Sequence, residues 1–267
     1  MDALKIRITS PVDDAVVIAS ARAPAPVTFK GELMSRPSAL AAVPLYFRWY
    51  SSLNRRASKD HYSLNQQALT SATSEHREDD LPLGSQVIGF AATDQLGESD
   101  PEIQAIRHGA YAGGDRQQPQ PPSQPCVIHV LRATIFDLPA AVPRQGLVLQ
   151  AEAPDAWKEP SYQAVNQLRY SWILTPAPPP PGWSPPPQGL PPNRPSRLTY
   201  VHDPSVQASS WRFVARANPQ KPALLVFTPA LPPEAIGPYT ITLEVADQHN
   251  PVPARRATDV RIIDLLA

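Results

Sequence analysis

Proline is the residue that most constrains this chain, because 35 of its 267 residues are proline. That share is more than twice the usual one of about 5%. Proline has no backbone N–H for a helix interior, and it is tolerated in turns, in loops and at strand edges. We therefore expect a fold built mainly from β-strands and loops.

Short segments in which apolar and polar residues alternate recur from end to end of the chain, separated by clusters of Pro, Gly, Asn and Asp. Such alternation is typical of a strand with one buried face. The predicted strands are Leu4–Ile8, Ala15–Ile18, Val27–Lys30, Leu45–Ser51, Ser85–Asp94, Cys126–Ala133, Gly146–Ala153, Leu168–Leu174, Arg197–His202, Trp211–Arg216, Leu224–Thr228, Tyr239–Asp247 and Thr258–Leu265. Helical periodicity is scarce, and Gln66–Ser71 and Pro101–Ile106 are each expected to form a turn of helix at most.

Two sequence patterns occur once in each half of the chain, in the same order. Leu45–Trp49 and Leu168–Trp172 both alternate and end on tryptophan. Gly84–Gln95 and Gly237–Gln248 both read Gly-x3-apolar-x-apolar-x-apolar-x-Asp-Gln. The second match keeps its spacing over twelve positions, which indicates a domain duplication.

The repeated patterns have a direct physical interpretation. Apolar side chains at every second position form one buried sheet face, and a tryptophan fills the space between two packed sheets. The glycine before the strand allows a sharp turn into it. In the second half the side chains predicted to point inward are Tyr239, Ile241, Leu243 and Val245, and those predicted to meet solvent are Thr240, Thr242 and Glu244.

Gly237–Asp247 resembles the penultimate strand of polycystic-kidney-disease-type (PKD-like) and related immunoglobulin-like domains, and Tyr170–Trp172 resembles their tryptophan strand. The first half keeps the pattern with Gly89 and Ala91 in place of bulkier residues. The resemblance implies an architecture rather than a function, because this fold serves adhesion, recognition and spacing alike.

The predicted fold class is all-β: two tandem immunoglobulin-like antiparallel β-sandwiches with long proline-rich loop insertions. Domain 1 is expected at residues 1–133 and the PKD-like domain 2 at 134–267, joined by a short apolar junction near Ala133–Phe136. Polar or proline-rich insertions are expected at Asn54–Asp80, Ala110–Pro125 and Thr175–Pro195. The last of these is rich enough in proline to favour the polyproline II conformation.

The titratable residues indicate no catalytic machinery. The six histidines have no metal-ligand spacing, and no nucleophile or nucleotide motif occurs. We therefore predict no catalytic residue, no cofactor and no metal ligand. Cys126 is expected to be a small packed residue. The aspartates near predicted sandwich ends are interpreted as turn formers, with calcium binding as the open alternative; they are Asp13, Asp14, Asp94, Asp100 and Asp247.

The candidate partner-binding residues lie outside the core pattern. Trp157, Trp183 and Trp211 would suit a protein hot spot or sugar stacking if they are exposed. Trp183 stands inside the proline run, where it either forms an exposed anchor or folds back over the run. His76 and Arg77 belong to a stretch interpreted as a charged loop before a strand.

Charge and targeting features narrow the class of partner. Lys plus Arg equals Asp plus Glu at 24 each, so no global field favours nucleic acid. The N-terminus has no secretory pattern, no apolar run is long enough for a membrane span, and one cysteine excludes an intrachain disulfide. We expect a cytoplasmic protein, incorporated into a particle or injection system.

The predicted function is that of a non-enzymatic structural or interaction protein with protein partners in a multi-subunit assembly. By analogy with phage particles, which are built in the cytosol and use such domains, it would be an accessory or baseplate component of a phage-tail-like contractile injection system. The alternative is a carbohydrate-binding or surface-adhesion module that uses exposed tryptophans. Clustering of the three tryptophans on one face would favour the alternative, and burial of all three would exclude it.

Overall fold

A computed structural model describes residues 5–19, 26–36, 38, 41–42, 46–51, 63–68, 72–79, 81, 83–93, 126–153, 168–178, 181, 194–202, 211–214, 223–247 and 255–267. Within these residues the regular structure is almost entirely β-strand, and no α-helix occurs. Spatial contacts group the chain into two compact units. Unit 1 comprises Met1–Val17 and Pro24–Val130, and unit 2 comprises Ile18–Ala23 and Leu131–Ala267. The domain limits 1–133 and 134–267 stay a prediction.

The described strands that lie wholly or mainly in unit 1 form two sheets. The strands are β1 (Lys5–Ser10), β2 (Ala15–Ala19), β3 (Val27–Ser35), β4 (Tyr46–Ser51), β5 (Ser63–Ala68), β6 (Thr73–Glu78), β7 (Gly84–Thr93) and β8 (Cys126–Arg132). The order is β1-β3-β6 in a three-stranded sheet and β2-β8-β7-β4-β5 in a five-stranded one.

In unit 2 the strands also form two sheets. They are β9 (Ile135–Phe136), β10 (Ala141–Pro143), β11 (Leu149–Ala153), β12 (Leu168–Pro176), β13 (Leu198–His202), β14 (Trp211–Val214), β15 (Ala223–Phe227), β16 (Gly237–Asp247) and β17 (Arg256–Leu266). The order is β14-β15-β11-β9 in a four-stranded sheet and β10-β17-β16-β12-β13 in a five-stranded one. A 3-10 turn, Arg144–Gly146, follows β10.

The strand order makes both units immunoglobulin-like. Immunoglobulin domains place strands A, B, E and D in one sheet and C, F and G in the other. The four-stranded sheet of unit 2 has the order D-E-B-A, and its five-stranded sheet has the order A′-G-F-C-C′. The sheets of unit 1 read A-B-E and A′-G-F-C-C′. The predicted fold class, two tandem antiparallel sandwiches, is therefore confirmed, with β10 and β17 pairing in parallel as an addition.

The sequence repeat corresponds to structurally equivalent strands. Trp49 lies on β4 and Trp172 on β12, the C strands of the two units, and both side chains are fully buried. Gly84 and Gly237 open the two F strands with φ of 119° and 92°. Only glycine enters that region freely, which explains why the pattern begins on glycine in each half.

The predicted alternation of β16 is also confirmed. Tyr239, Ile241, Leu243 and Val245 are all fully buried, whereas Thr240, Thr242 and Glu244 are partly exposed. Because side chains alternate across a strand, one face of β16 forms the core of unit 2 and the other forms its surface.

An aromatic cluster fills the core of unit 1. The Trp49 ring stacks on Phe90 at 4.3 Å between centroids and lies 5.5 Å from Phe29. The indole N–H donates to Ser74 Oγ at 3.0 Å, which satisfies its one polar group inside the core. Gly31 on β3 lies directly against the Phe90 ring, so close that a Cβ there would stand 2.4 Å from Phe90 Cε1.

A buried ion pair lies near the start of unit 2. Arg132 Nη2 and Nε donate to the two carboxylate oxygens of Glu152 at 2.6 and 2.8 Å, and Thr134 Oγ1 donates to Oε2 at 3.0 Å. The Tyr170 hydroxyl donates to the backbone carbonyl of Glu152 at 3.1 Å. Burial, and secondarily the Glu152 charge, raises the pKa of Tyr170 above its ordinary value.

The sequence interpretation of residues 54–80 needs correction. The expected helical turn at Gln66–Ser71 is wrong, because β5 runs through Ala68 and pairs antiparallel with β4. The expected insertion Asn54–Asp80 contains both β5 and β6. These polar segments have weak strand propensity of their own, and the neighbouring strands impose the conformation. Pro101–Ile106 and Ala110–Pro125 lie outside the described residues.

Candidate partner-binding site

Both ends of the proline-rich insertion of unit 2 are hydrogen-bonded to the same backbone carbonyl. It follows β12, which ends at Pro176, and it precedes β13, which begins at Leu198. On the first side the Ala177 N–H donates to the Pro238 carbonyl at 2.9 Å. On the second side Arg194 Nη2 donates to the same carbonyl. Both ends are therefore attached to the beginning of β16.

A second contact of Arg194 fixes the orientation of its guanidinium group. Its guanidinium carbon lies 4.3 Å from the centre of the Tyr239 ring, within cation–π range. Tyr239 is fully buried, so the contact is made to the core of the sandwich. The sequence singled out the Gly237–Tyr239 turn but gave no signal for Arg194, because a contact to a residue more than forty positions away leaves no periodic pattern.

Trp211 is half-buried, and its ring packs against two neighbouring rings. It begins β14 and stacks on Phe227 of β15 at 3.8 Å between centroids, with 11° between the planes. His202 of β13 lies 4.8 Å from the same ring. Sugar stacking needs a free ring face, and at least one face of Trp211 is covered. Trp157 and Trp183 lie outside the described residues.

His76 and Arg77 lie on a strand, so the predicted charged loop is wrong. Both belong to β6, which pairs with β3. The His76 ring stacks over Phe29 at 6.3 Å, and its Nε2 lies 3.4 Å from Glu78 Oε2. Arg77 is exposed, and its Nε donates to Asp79 Oδ1 at 2.7 Å. Of these two residues only Arg77 is exposed, and a role of either in partner binding stays a prediction.

A serine, a histidine and an aspartate form a hydrogen-bonded row in unit 1. Ser85 Oγ lies 2.7 Å from His129 Nδ1, and His129 Nε2 lies 2.8 Å from Asp14 Oδ1. An ionised carboxylate only accepts hydrogen bonds, so His129 Nε2 is the donor to Asp14. These are the residue types and the connectivity of a nucleophile, its base and an orienting acid.

The position of Ser85 argues against a hydrolytic role for this row. A nucleophile must reach a substrate carbonyl, but Ser85 is only 5% exposed and stands directly opposite His129 in the β7–β8 ladder. Asp14 has φ of 63°, and its N–H donates to the Val127 carbonyl at 2.8 Å. The row therefore fastens the turn before β2 to strand β8.

Cys126 has the character of a packed thiol. It is buried at the start of β8, and its Sγ donates to the Pro11 carbonyl at 3.4 Å. Burial, followed by the Asp13 charge, raises the pKa of Cys126 to about 11. A reactive cysteine needs the opposite shift, so the prediction of a packed residue is confirmed.

The aspartates considered for calcium have protein partners where they are described. Asp13 Oδ1 accepts from the Val127 N–H at 2.8 Å, Asp14 contacts His129, and buried Asp247 accepts from Arg255 at 3.3 Å. No group of three or more His, Cys, Asp and Glu in the described part of the chain could hold a metal ion. Asp94 and Asp100 lie outside it.

No helix among the described residues has the length and apolar character needed to cross a bilayer. The predictions about targeting are not tested by this observation.

Comparison with known proteins gives structural neighbours only. No protein-family model matches the chain, and no curated protein matches it. One solved structure that it resembles is the I-band fragment I67-I69 from titin, at 9% identity and a TM-score of 0.29 over 98% of this chain and 66% of the fragment. Another is Dpr11 IG1 bound to DIP-gamma IG+IG2, at 9% identity and a TM-score of 0.30 over 98% of both chains. The immunoglobulin-like assignment rests on the strand order of each unit.

Proposed function

We propose that this chain is a non-enzymatic interaction module whose partner-binding segment is the proline-rich insertion between β12 and β13. The observation that carries the proposal is the attachment of both ends of the insertion to the Pro238 carbonyl, through Ala177 and Arg194. The two ends of the segment therefore have fixed positions at one point of the sheet. Partner binding then costs less ordering of the anchoring residues.

The composition of the insertion suits protein recognition. Proline-rich segments favour polyproline II, whose backbone polar groups stay free for a partner. Trp183 stands between two proline runs, and tryptophan is among the residues most enriched at interface hot spots. We propose Trp183 as the central contact, with Trp157 and the exposed Arg77 as further candidates on other parts of the chain.

The larger assembly is proposed to be a multi-subunit particle built in the cytoplasm, such as a phage-tail-like contractile injection system, in which this chain is an accessory or baseplate part. Both cores are packed without a disulfide, since Cys126 is the one cysteine of the sequence. Such cores suit folding in a reducing compartment. The polycystic-kidney-disease type of domain 2 belongs to the same proposal.

The test is affinity purification of the tagged chain from its native host under gentle lysis, with the co-purified proteins identified by mass spectrometry. Recovery of sheath, tube or baseplate proteins in fixed ratio to the chain is the expected result. Recovery of the chain as a free protein in every fraction would contradict the assembly. The matched variant is Trp183→Ala, which should lose the co-purified proteins while the chain itself is recovered in the same amount.

The carbohydrate-binding alternative now depends on fewer residues. The ring of Trp211 stacks on Phe227, so Trp157 and Trp183 would have to provide the sugar-stacking surface. A glycan array separates the two functions. Binding to a defined glycan that Trp183→Ala abolishes would favour adhesion, whereas an array without binders, together with co-purified assembly proteins, supports the interaction module.

A further inference from the structure

The proline-rich insertion connects two strands at one end of the five-stranded sheet of unit 2, and we name this end the insertion end. Strands β10 and β12 end there, at Pro143 and Pro176, and strands β13 and β16 begin there, at Leu198 and Gly237. Each of these residues belongs to the terminal pair of a ladder between neighbouring strands. The register therefore places all of them at the same end of the sheet.

Arginines lie at three places along the insertion end. Arg144 directly follows β10, Arg194 contacts the beginning of β16, and Arg197 directly precedes β13. Neighbouring strands about 4.8 Å apart put the backbones of Arg144 and Arg197, on the two outermost strands, about 20 Å apart, with Arg194 between them. A standard interface of about 800 Å² per partner is wider than this, so one partner surface can contact all of them together.

These arginines have no carboxylate partner within the part of the chain that the structure describes. Arg144 Nη1 donates to the Leu231 carbonyl at 3.3 Å, and Arg194 Nη2 donates to the Pro238 carbonyl. The Nε atoms of both arginines are buried and have no hydrogen-bond partner. Arg197 is exposed and forms no hydrogen bond or ion pair among the described residues. A carbonyl is a dipole without net charge, so these contacts do not neutralise the positive charges.

The opposite end of the same sheet provides an internal comparison. There β16 ends at Asp247 and β17 begins at Arg256. Arg255 Nη2 lies 3.3 Å from Asp247 Oδ2, and Arg256 Nη1 lies 3.4 Å from Glu244 Oε2. Each of these cations is paired with a carboxylate of its own unit. The arginines of the insertion end lack that neutralisation, and a carboxylate of another molecule would supply it.

We propose that the insertion end binds carboxylate side chains of a protein partner, with Arg197 as the most exposed contact. A guanidinium group has a planar fork of donors that matches a carboxylate. Phosphate fits the same fork, but Asp264 and Glu234 lie near this end and would repel a continuous polyanion such as nucleic acid. Single carboxylates on a protein avoid that repulsion. The inference rests on the proposed function, because it names the chemistry of the partner that the insertion would bind.

Contacts of this kind add specificity more than affinity. An exposed ion pair changes an association constant by about fivefold at most, and its effect falls as added salt screens the charges. Carboxylates that face the insertion end would therefore orient the partner relative to the insertion. The insertion itself would supply most of the binding energy.

The experiment is a titration of the purified, isotope-labelled chain with a capped hexaglutamate peptide at low salt, followed through the NMR signals of the arginine Nε–H groups. The expected result is a saturable shift of the Arg144, Arg194 and Arg197 signals, which added salt reverses and capped hexaglutamine does not produce. Arg197→Glu should weaken hexaglutamate binding about fivefold or more, because it removes one contact and adds a repulsive charge. The matched control is Arg169→Glu, at an exposed position near the other end of β12, which should leave binding unchanged.

The proposal is overturned if hexaglutamate moves none of these signals, if Arg197→Glu and Arg169→Glu weaken binding equally, or if the signals respond to inorganic phosphate but not to hexaglutamate. The same variants in the affinity purification separate this inference from the proposed function. Partner recovery that falls with Trp183→Ala but not with Arg197→Glu would refute the inference alone. Recovery that falls with Arg197→Glu but not with Trp183→Ala would refute the role of the insertion alone. Thermal unfolding of each variant confirms that it is folded.

Discussion

Arg194 and Tyr239 link a loop to the core of unit 2: the guanidinium carbon lies 4.3 Å from the centre of the tyrosine ring. The same arginine donates to the Pro238 carbonyl. Tyr239 is the first inward-facing side chain after the glycine that opens β16. The return of the proline-rich insertion is thereby fixed to the strand that the sequence repeat identifies.

Replacing Arg194 tests this link. Arg194→Ala should lower the free energy of unfolding of unit 2 by about 1–2 kcal/mol, because it removes a cation–π contact and a charged hydrogen bond. Arg194→Lys should recover only part of the loss, since an ammonium lacks the planar fork. Urea titration followed by tryptophan fluorescence gives the values. The control is Arg212→Ala at an exposed position of β14, whose free energy of unfolding should stay within about 0.5 kcal/mol of the wild-type value. An equal loss of stability in Arg194→Ala and Arg212→Ala would refute the link.

Gly31 allows the core aromatic cluster of unit 1 to pack. An added Cβ would lie 2.4 Å from Phe90 Cε1, so Gly31→Ala should destabilise unit 1 by about 1–3 kcal/mol through overpacking. Phe90→Leu should partly relieve the clash, giving a double variant less destabilised than the sum of the two single changes.

A second glycine provides the control for that substitution. At Gly146 an added Cβ would have its nearest neighbour at 3.9 Å, so Gly146→Ala should be neutral within about 0.5 kcal/mol. Chemical denaturation measures all four variants. Strict additivity of Gly31→Ala and Phe90→Leu would show that the two residues do not constrain each other.

Removing one partner of the Arg132–Glu152 ion pair should lower the free energy of unfolding strongly. Replacing both partners by apolar residues should lower it much less. Glu152→Leu leaves a largely buried arginine without its carboxylate, and we expect a loss of about 3–5 kcal/mol. The double variant Arg132→Met with Glu152→Leu removes both charges and should be clearly more stable than the single one. Denaturant midpoints decide the order, and a double variant that is less stable than Glu152→Leu would disprove this account.

Cys126 should react slowly in the folded chain. Its pKa is raised from 9.0 to about 11, so at pH 8 the thiolate fraction is about a hundredfold below that of the unfolded chain, and the thiolate is the reactive form. Labelling with a disulfide reagent in native buffer and in urea measures both rates. Comparable rates in the two conditions would contradict the buried position of the thiol.

The same shift predicts a dependence of stability on pH. The folded state holds the Cys126 proton more tightly than the unfolded state, so the thiol's contribution is intact below pH about 9 and is lost as the pH rises towards 11. The free energy of unfolding of the wild type should therefore fall over this range relative to Cys126→Ala. A constant difference between the two proteins from pH 8 to 11 would rule out the shift.

The features that could be predicted from the sequence are local ones. Trp49, Trp172, Gly84 and Gly237 stand in patterns that depend only on strand periodicity and on the backbone freedom of glycine. Each of these positions is found in the structure with the conformation or burial that the pattern requires. The same reasoning places Thr240 and Thr242 at the surface.

Features that depend on distant contacts could not be predicted. β5 is a polar segment whose strand conformation comes from pairing with β4. The row from Ser85 through His129 to Asp14 joins residues 44 and 115 positions apart, and nothing in the local pattern of any one of them signals the others. The local pattern around His76 indicates a loop for the same reason, because the strand conformation there comes from pairing with β3, which also provides the contact with Phe29.

The most direct test of the central claim is to measure the affinity of the co-purified partner for wild type, Trp183→Ala and Arg212→Ala by isothermal titration calorimetry. If the insertion is the partner-binding segment, Trp183→Ala should lower the affinity about thirtyfold or more, as expected for a hot-spot residue. Its free energy of unfolding should stay that of the wild type, and Arg212→Ala should bind normally. Unchanged affinity in a folded Trp183→Ala protein would contradict the claim.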